Sequence, residues 1–138
     1  MITNEARIKA LAKFLGVEPS SIEMLGYDEG RRFETEKGEY LVLTDKEADE
    51  KVRESIRETL WAFTPHFLAS TTGIEEAIFK VLAPICEGAN EAIVALVNGT
   101  CGMDYLIEEA ILWDGRGHFL AGYDGEEQEQ GDFFIYQI

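Results

Sequence analysis

Several things are scarce in this sequence, and each scarcity excludes something. Two cysteines, Cys86 and Cys101, among 138 residues cannot build a disulfide framework or a cysteine-rich metal site. Two histidines, His66 and His118, leave little material for imidazole chemistry. The longest unbroken apolar run, residues 92–97, falls far short of the ~20 residues that cross a bilayer, so no membrane association is expected. Met1 to Arg7 leads straight into a polar-faced helix, so no secretory leader is expected and the chain reads as cytoplasmic. Bases are scarcest of all. Residues 1–57 hold ten Lys/Arg against thirteen Asp/Glu, whereas residues 58–138 hold only Lys80 and Arg116 against fourteen acids. The net charge of −15 therefore sits mostly in the second part, and it repels nucleic acid and anionic lipid alike.

What is present describes a folded domain. The apolar share of 46% and the length suffice for one core, read as a single domain over 1–138. Asn4 can cap a helix with Ile8, Leu11, Ala12 and Leu15 on one face, ended by Gly16. "VEPSSIEML" then predicts a short second helix. The pair superficially matches a helix-turn-helix, but the second segment has Glu23 and no base, which rejects DNA reading. "RRFETEKGEYLVLTD" predicts a hairpin, with residues 39–43 apolar enough to be a central strand.

Thr44 and Glu47 form a capping box that opens a helix to about Ala62. Its inner face is Ala48, Val52, Ile56 and Leu60, and Glu47–Lys51 and Asp49–Arg53 are spaced as i, i+4 pairs. Thr64-Pro65 caps a short helix. The next turns Ile74, Ala77, Ile78, Val81 and Leu82 inward, and another turns Ile85, Ala89, Ala92, Ile93 and Leu96 inward, ending at Asn98 with Gly99 as a left-handed cap. Met103, Leu106, Ile107, Ala110 and Ile111 mark a further helix. "GHFLAGY" and "DFFIYQI" read as strands joined by an acidic loop. The fold class is α+β: a small antiparallel sheet, from the N-terminal hairpin and C-terminal strands, packed with a body of about five to six helices.

The chemistry is sparse. The acidic loop from Asp124 fails the EF-hand pattern, because its sixth residue is Glu129 rather than glycine, and no metal or other cofactor is expected. Cys101 and His118 could pair as nucleophile and base, but nothing local supports it, and a half-buried strand histidine is the plainer reading. No catalytic residue is assigned. The alternative is a small enzyme or ligand-binding protein centred on Arg116, His118 and Tyr123.

The acids are the stronger signal. Glu87/Glu91 and Asp104/Glu108 are like-charge i, i+4 pairs, each costing roughly 0.2–0.5 kcal/mol. Glu108 and Glu109 are placed near a helix end, where the dipole disfavours them. Uncompensated acids at such positions point to a surface kept for a basic partner. The candidate partner-binding residues are Glu87, Glu91, Asp104, Glu108, Glu109, Asp124, Glu126, Glu127, Glu129 and Asp132.

The strings "LAKFLGVEP", "EYLVLTDKEADE", "LWAFTPHFL" and "DGRGHFLAGYDGEE" with terminal "FFIY" resemble small acidic proteins encoded by bacteriophages and prophages. The resemblance implies a phage product in a bacterial cytoplasm and brings no catalytic residues. By analogy with small acidic early phage proteins, it implies an anti-CRISPR or anti-restriction inhibitor that mimics DNA toward a nucleic-acid-binding host defence protein.

Overall fold

A computed structural model describes residues Thr3–Ile138. It is an α+β protein whose chain divides into two compact units. One comprises the described residues up to Val52 together with Arg116–Ile138, and the other is Arg53–Gly115.

The first unit is built on a five-stranded antiparallel sheet: β1 (Glu23–Met24), β2 (Arg32–Thr35), β3 (Gly38–Leu43), β4 (Gln128–Gln130) and β5 (Phe133–Gln137), in the order β1-β2-β3-β5-β4. The hairpin register pairs Phe33 with Tyr40, and β5 then lies along β3, Val42 opposite Ile135. The central position expected of "YLVL" is realised. Tyr40 and Val42 point to one face and Leu41 and Leu43 to the other, and all four are buried. A strand buried on both faces must read as an unbroken apolar run rather than an alternation. On the Val42 face lies helix α1 (Asn4–Leu15), whose Leu11 and Ala12 pack with Phe33, Tyr40 and Ile135. Thr3, not Asn4, caps α1, its hydroxyl accepting from the Ala6 amide at 3.1 Å. Gly16 closes it in the left-handed conformation.

The expected second helix is absent. A single 3₁₀ turn at Pro19–Ser21 gives way to β1, because pairing Met24 opposite Phe33 extends the sheet. Both edge strands are short and carry exposed polar or acidic residues, which discourages further strand addition.

Helix α2 (Asp45–Glu58) begins with the expected capping box, Glu47 N–H to Thr44 Oγ1 at 3.2 Å and Thr44 N–H to Glu47 Oε1 at 2.8 Å. Its carboxylate does not turn to Lys51. Arg7, 4% exposed, binds it through two parallel bonds of 2.7 and 2.8 Å, and Arg31 adds a contact at 3.1 Å. A bidentate guanidinium outcompetes a single ammonium one turn away. Lys51 instead reaches Asp28 at 3.0 Å.

The second unit holds the remainder of α2, a 3₁₀ turn at Leu60–Ala62, and helices α3 (Pro65–Thr72), α4 (Glu76–Leu82), α5 (Asn90–Asn98) and α6 (Met103–Asp114). Ile56, Leu60, Leu68, Phe79, Ile93, Val97, Leu106 and Ala110 are buried in it. Buried Asn90 ties the end of α2 to α5, donating to the Arg57 carbonyl at 3.0 Å and accepting from the Trp61 amide at 3.2 Å.

Two expected faces are wrong here. On α4, Phe79 is buried while Ile78 and Val81 are exposed. Seven residues give this helix one dominant inward position, and the larger aromatic takes it, turning the face by about 100°. On α5 the inward set is Asn90, Ile93, Val94 and Val97, and Ile85 is exposed. The stretch Glu76–Asn98 has the length and composition of a membrane span by those criteria alone. It is not one helix: Pro84 and Cys86, the latter at φ 58°, ψ −135°, break it between α4 and α5. Gly99 ends α5 at φ −82°, not in the left-handed region.

Candidate partner-binding surfaces

Helix α7 (Arg116–Leu120) in the first unit replaces the expected strand "GHFLAGY". Its Gly117 lies so close to the acidic loop that a Cβ would sit 2.5 Å from the Gly125 carbonyl oxygen and 2.8 Å from the Glu127 nitrogen. Helix and loop are thereby pressed together, and Arg116 is aimed at the loop. Its Nε donates to Glu127 Oε1 at 2.8 Å, its other nitrogen reaches Asp45 Oδ1 at 3.0 Å, and its guanidinium covers the Phe134 ring at 4.8 Å. Tyr136 donates its hydroxyl to the same Glu127 oxygen. Burial first, then the Glu127 carboxylate, pushes the Tyr136 phenol far up. Burial alone would lower Arg116, but the bond to Glu127 and the neighbouring negative groups raise it. These shifts keep phenol and guanidinium in their ordinary charge states, so the cluster fastens the loop to the sheet.

Of the alternative set Arg116, His118 and Tyr123, Arg116 is committed to Glu127 and Asp45. His118 is an exposed helical residue with its ring edge-on to Phe119 at 4.9 Å, not a half-buried strand histidine. Tyr123 is 71% exposed. Cys86 is exposed and Cys101 half-buried in the turn before α6. No group of three or more His, Cys, Asp and Glu among the described residues is placed to hold a metal ion.

The ten candidate acids divide between the units. In the first, Asp124 Oδ1 accepts from the Glu126 amide at 3.0 Å and shapes the loop; Glu126 is exposed; Glu129 lies on edge strand β4; and Asp132 follows Gly131 at the tip of the β4–β5 hairpin. Glu127 alone of these is engaged by a base. In the second unit, Glu87 lies in the 3₁₀ segment after α4, and Glu91 in the first turn of α5. Asp104 occupies the first turn of α6, with Glu108 and Glu109 in mid-helix rather than near its end. Asp104 and Glu108 are not wholly uncompensated, since Arg53 approaches them at 3.2 and 4.0 Å. Glu87, Glu91, Glu109, Glu126, Glu129 and Asp132 have no basic partner within salt-bridge distance among the described residues.

Two features escape the linear sequence. Strand register stacks Glu23, Glu34 and Glu39 in one row across β1, β2 and β3, with Arg32 near only the last, at 3.5 Å. Charge counting over residues 1–57 averages this row against bases that lie elsewhere. Second, Asp28, Glu29 and Gly30 all have positive φ, at 56°, 56° and 76°. Asp28 is held there by Lys51 and by Arg32, whose Nε stands 2.6 Å away at an angle that makes a charge contact rather than a hydrogen bond. Burial pushes the Asp28 carboxyl up, but the Lys51 bond and the charges of Lys51 and Arg32 outweigh it and lower the pKa. The left-handed turn had no glycine signal at its first two positions. No family model matches this chain, and neither a curated protein nor a solved structure matches it.

Proposed function

We propose that this protein is a non-enzymatic inhibitor that binds a basic, nucleic-acid-binding protein, its carboxylates standing where phosphates would lie. One observation carries the reading: exposed acids such as Glu87, Glu91, Glu126, Glu129 and Asp132 have no basic partner within salt-bridge distance among the described residues, in a stretch, 58–138, that holds only Lys80 and Arg116 against fourteen acids. Surfaces shaped only by stability intersperse the two signs. Such a surface enters a Lys/Arg-lined cleft through the same electrostatics that hold a nucleic-acid backbone. The resemblance to phage-encoded acidic proteins makes a bacterial defence enzyme, a CRISPR effector or a restriction enzyme, the class of target, met in the host cytoplasm. Arg116 is engaged by Glu127 and Asp45 and lends no support to an enzymatic alternative.

The test is inhibition and binding of purified CRISPR effectors and restriction enzymes. Binding should weaken at least about tenfold between roughly 50 and 200 mM salt, and excess DNA should compete. Glu126→Lys with Glu129→Lys should abolish it. Glu18→Lys with Glu36→Lys, an equal charge change on exposed acids of the first 57 residues, should not. Equal effects of the two pairs, no response to salt and no DNA competition would remove the proposal.

A further inference from the structure

We propose that the outward face of α6 docks a cationic amphipathic helix of the partner. The proposal rests on the reading that the partner is basic, and adds an apolar anchor to it. Helix α6 commits Leu106, Ile107 and Ala110 to the core. Residues three and four apart share a helix face, so Tyr105, Glu108, Glu109 and Leu112 form a stripe on the opposite side, with Trp113 at its margin. Tyr105 is 49% exposed, Leu112 76% and Trp113 75%, the last two being the most exposed large apolar side chains among the described residues. A face serving only solubility has no use for Leu and Trp side by side at its end.

The charge around the stripe selects the occupant. Asp104, Glu108, Glu109 and Asp114 lie on α6, which has no Lys or Arg, and the base that approaches them is Arg53, at Asp104 and Glu108. A second copy would set these carboxylates against themselves, and an anionic membrane or nucleic acid would be repelled. A neutral apolar surface would leave Glu108 and Glu109 desolvated without compensation. A helix with Leu or Phe along one side and Lys or Arg along its flanks satisfies both requirements, covering Leu112 and Tyr105 while its cations reach Glu108 and Glu109 or stack on Trp113. Tyr and Trp are the residue types that carry most binding energy when so covered.

The probe is a labelled peptide of about 20 residues built from Leu and Lys at helical period. Its controls have the same composition scrambled, Glu in place of Lys, and Ser in place of Lys. Fluorescence anisotropy on the full chain should show the periodic basic peptide binding about tenfold more tightly than any control. Leu112→Ser, or Tyr105→Ser as an independent variant, should erase that tenfold without changing the circular dichroism. Glu108→Gln with Glu109→Gln should weaken binding severalfold. Equal binding of periodic and scrambled basic peptides, with no effect of Leu112→Ser, overturns the docking face but leaves the charge-based reading intact. No binding of either basic peptide at any salt concentration overturns both. Tight binding of the Leu/Ser peptide, or a dimer by sedimentation that Leu112→Ser dissolves, assigns the face to another occupant and also overturns the proposal.

Discussion

Replacing Glu47 by Gln should be among the most damaging single changes in the first unit, although it alters a few atoms. The carboxylate takes two bonds from Arg7, one contact from Arg31 and the Thr44 amide of the capping box. Burial by itself would raise its pKa, but the Arg7 bond, the Thr44 amide and the two guanidinium charges bring it from 4.5 down to about 2. A depressed carboxyl stabilises the fold fully above the unfolded value and loses that contribution as pH falls through the folded value. The shift corresponds to about 3 kcal/mol, present above pH ~4.5 and gone near pH ~2. A glutamine amide in its place can serve one donor on its oxygen but offers N–H groups to Arg7, which stays buried with its charge unmatched. The expected loss at neutral pH is about 3 kcal/mol, within the range for breaking a buried pair from one side. Urea unfolding followed by circular dichroism, with hydrogen exchange at Leu41–Leu43 reporting on the sheet, measures it. Between about pH 5 and pH 2 the variant should lose about 3 kcal/mol less than the parent chain. Arg7→Met with Glu47→Leu should recover much of the neutral-pH loss, since it removes both charges together. A Gln variant within about 0.5 kcal/mol of the parent, or one with the same acid dependence, would refute the reasoning.

Two further changes test the packing. Gly117→Ala pushes a methyl into the backbone of residues 125–127 and should cost about 1–3 kcal/mol, read as a lowered Tm and faster hydrogen exchange in the acidic loop. Asn90→Ala removes a buried group that both donates and accepts, leaving the Trp61 amide and Arg57 carbonyl without it; about 1–3 kcal/mol should be lost, with a shift in Trp61 emission.

What the sequence discloses and what it hides divide along range. The capping box at Thr44, the inward face Ala48, Val52, Ile56 and Leu60, and the central position of β3 are written in neighbouring residues and survive intact. The partner of Glu47 is not, because Arg7 lies 40 residues away and a local pairing with Lys51 looks equally good on paper. Helix α4 fails for a different reason. Ile78, Val81 and Phe79 are all apolar, and only the shape of the core decides which of them turns inward. His118 escapes a linear reading because "GHFLAGY" has strand-like residues, while the close approach of Gly117 to the acidic loop, which sits beside the short helix, is a tertiary fact. The exposure of Glu87, Glu91, Glu126, Glu129 and Asp132 is legible, but the capture of Glu127 by Arg116 and Tyr136 is not, since it requires α7 and β5 to be already in place.

The insertion of β5 beside β3 also sets a timetable. The Gln137 side chain donates to the Lys37 carbonyl across 100 residues, and the whole second unit is translated between the two strands. At ribosomal rates of about 5–20 residues per second, the hairpin β2–β3 waits roughly 5–20 s for the strand that completes its sheet. During that interval the nascent chain presents the β3 edge, with Leu41 and Leu43 uncovered by β5, while residues 53–115 already have their own core to form. The edge of β3 thus stays open for strand addition until β5 has been made, long after the hairpin that carries it.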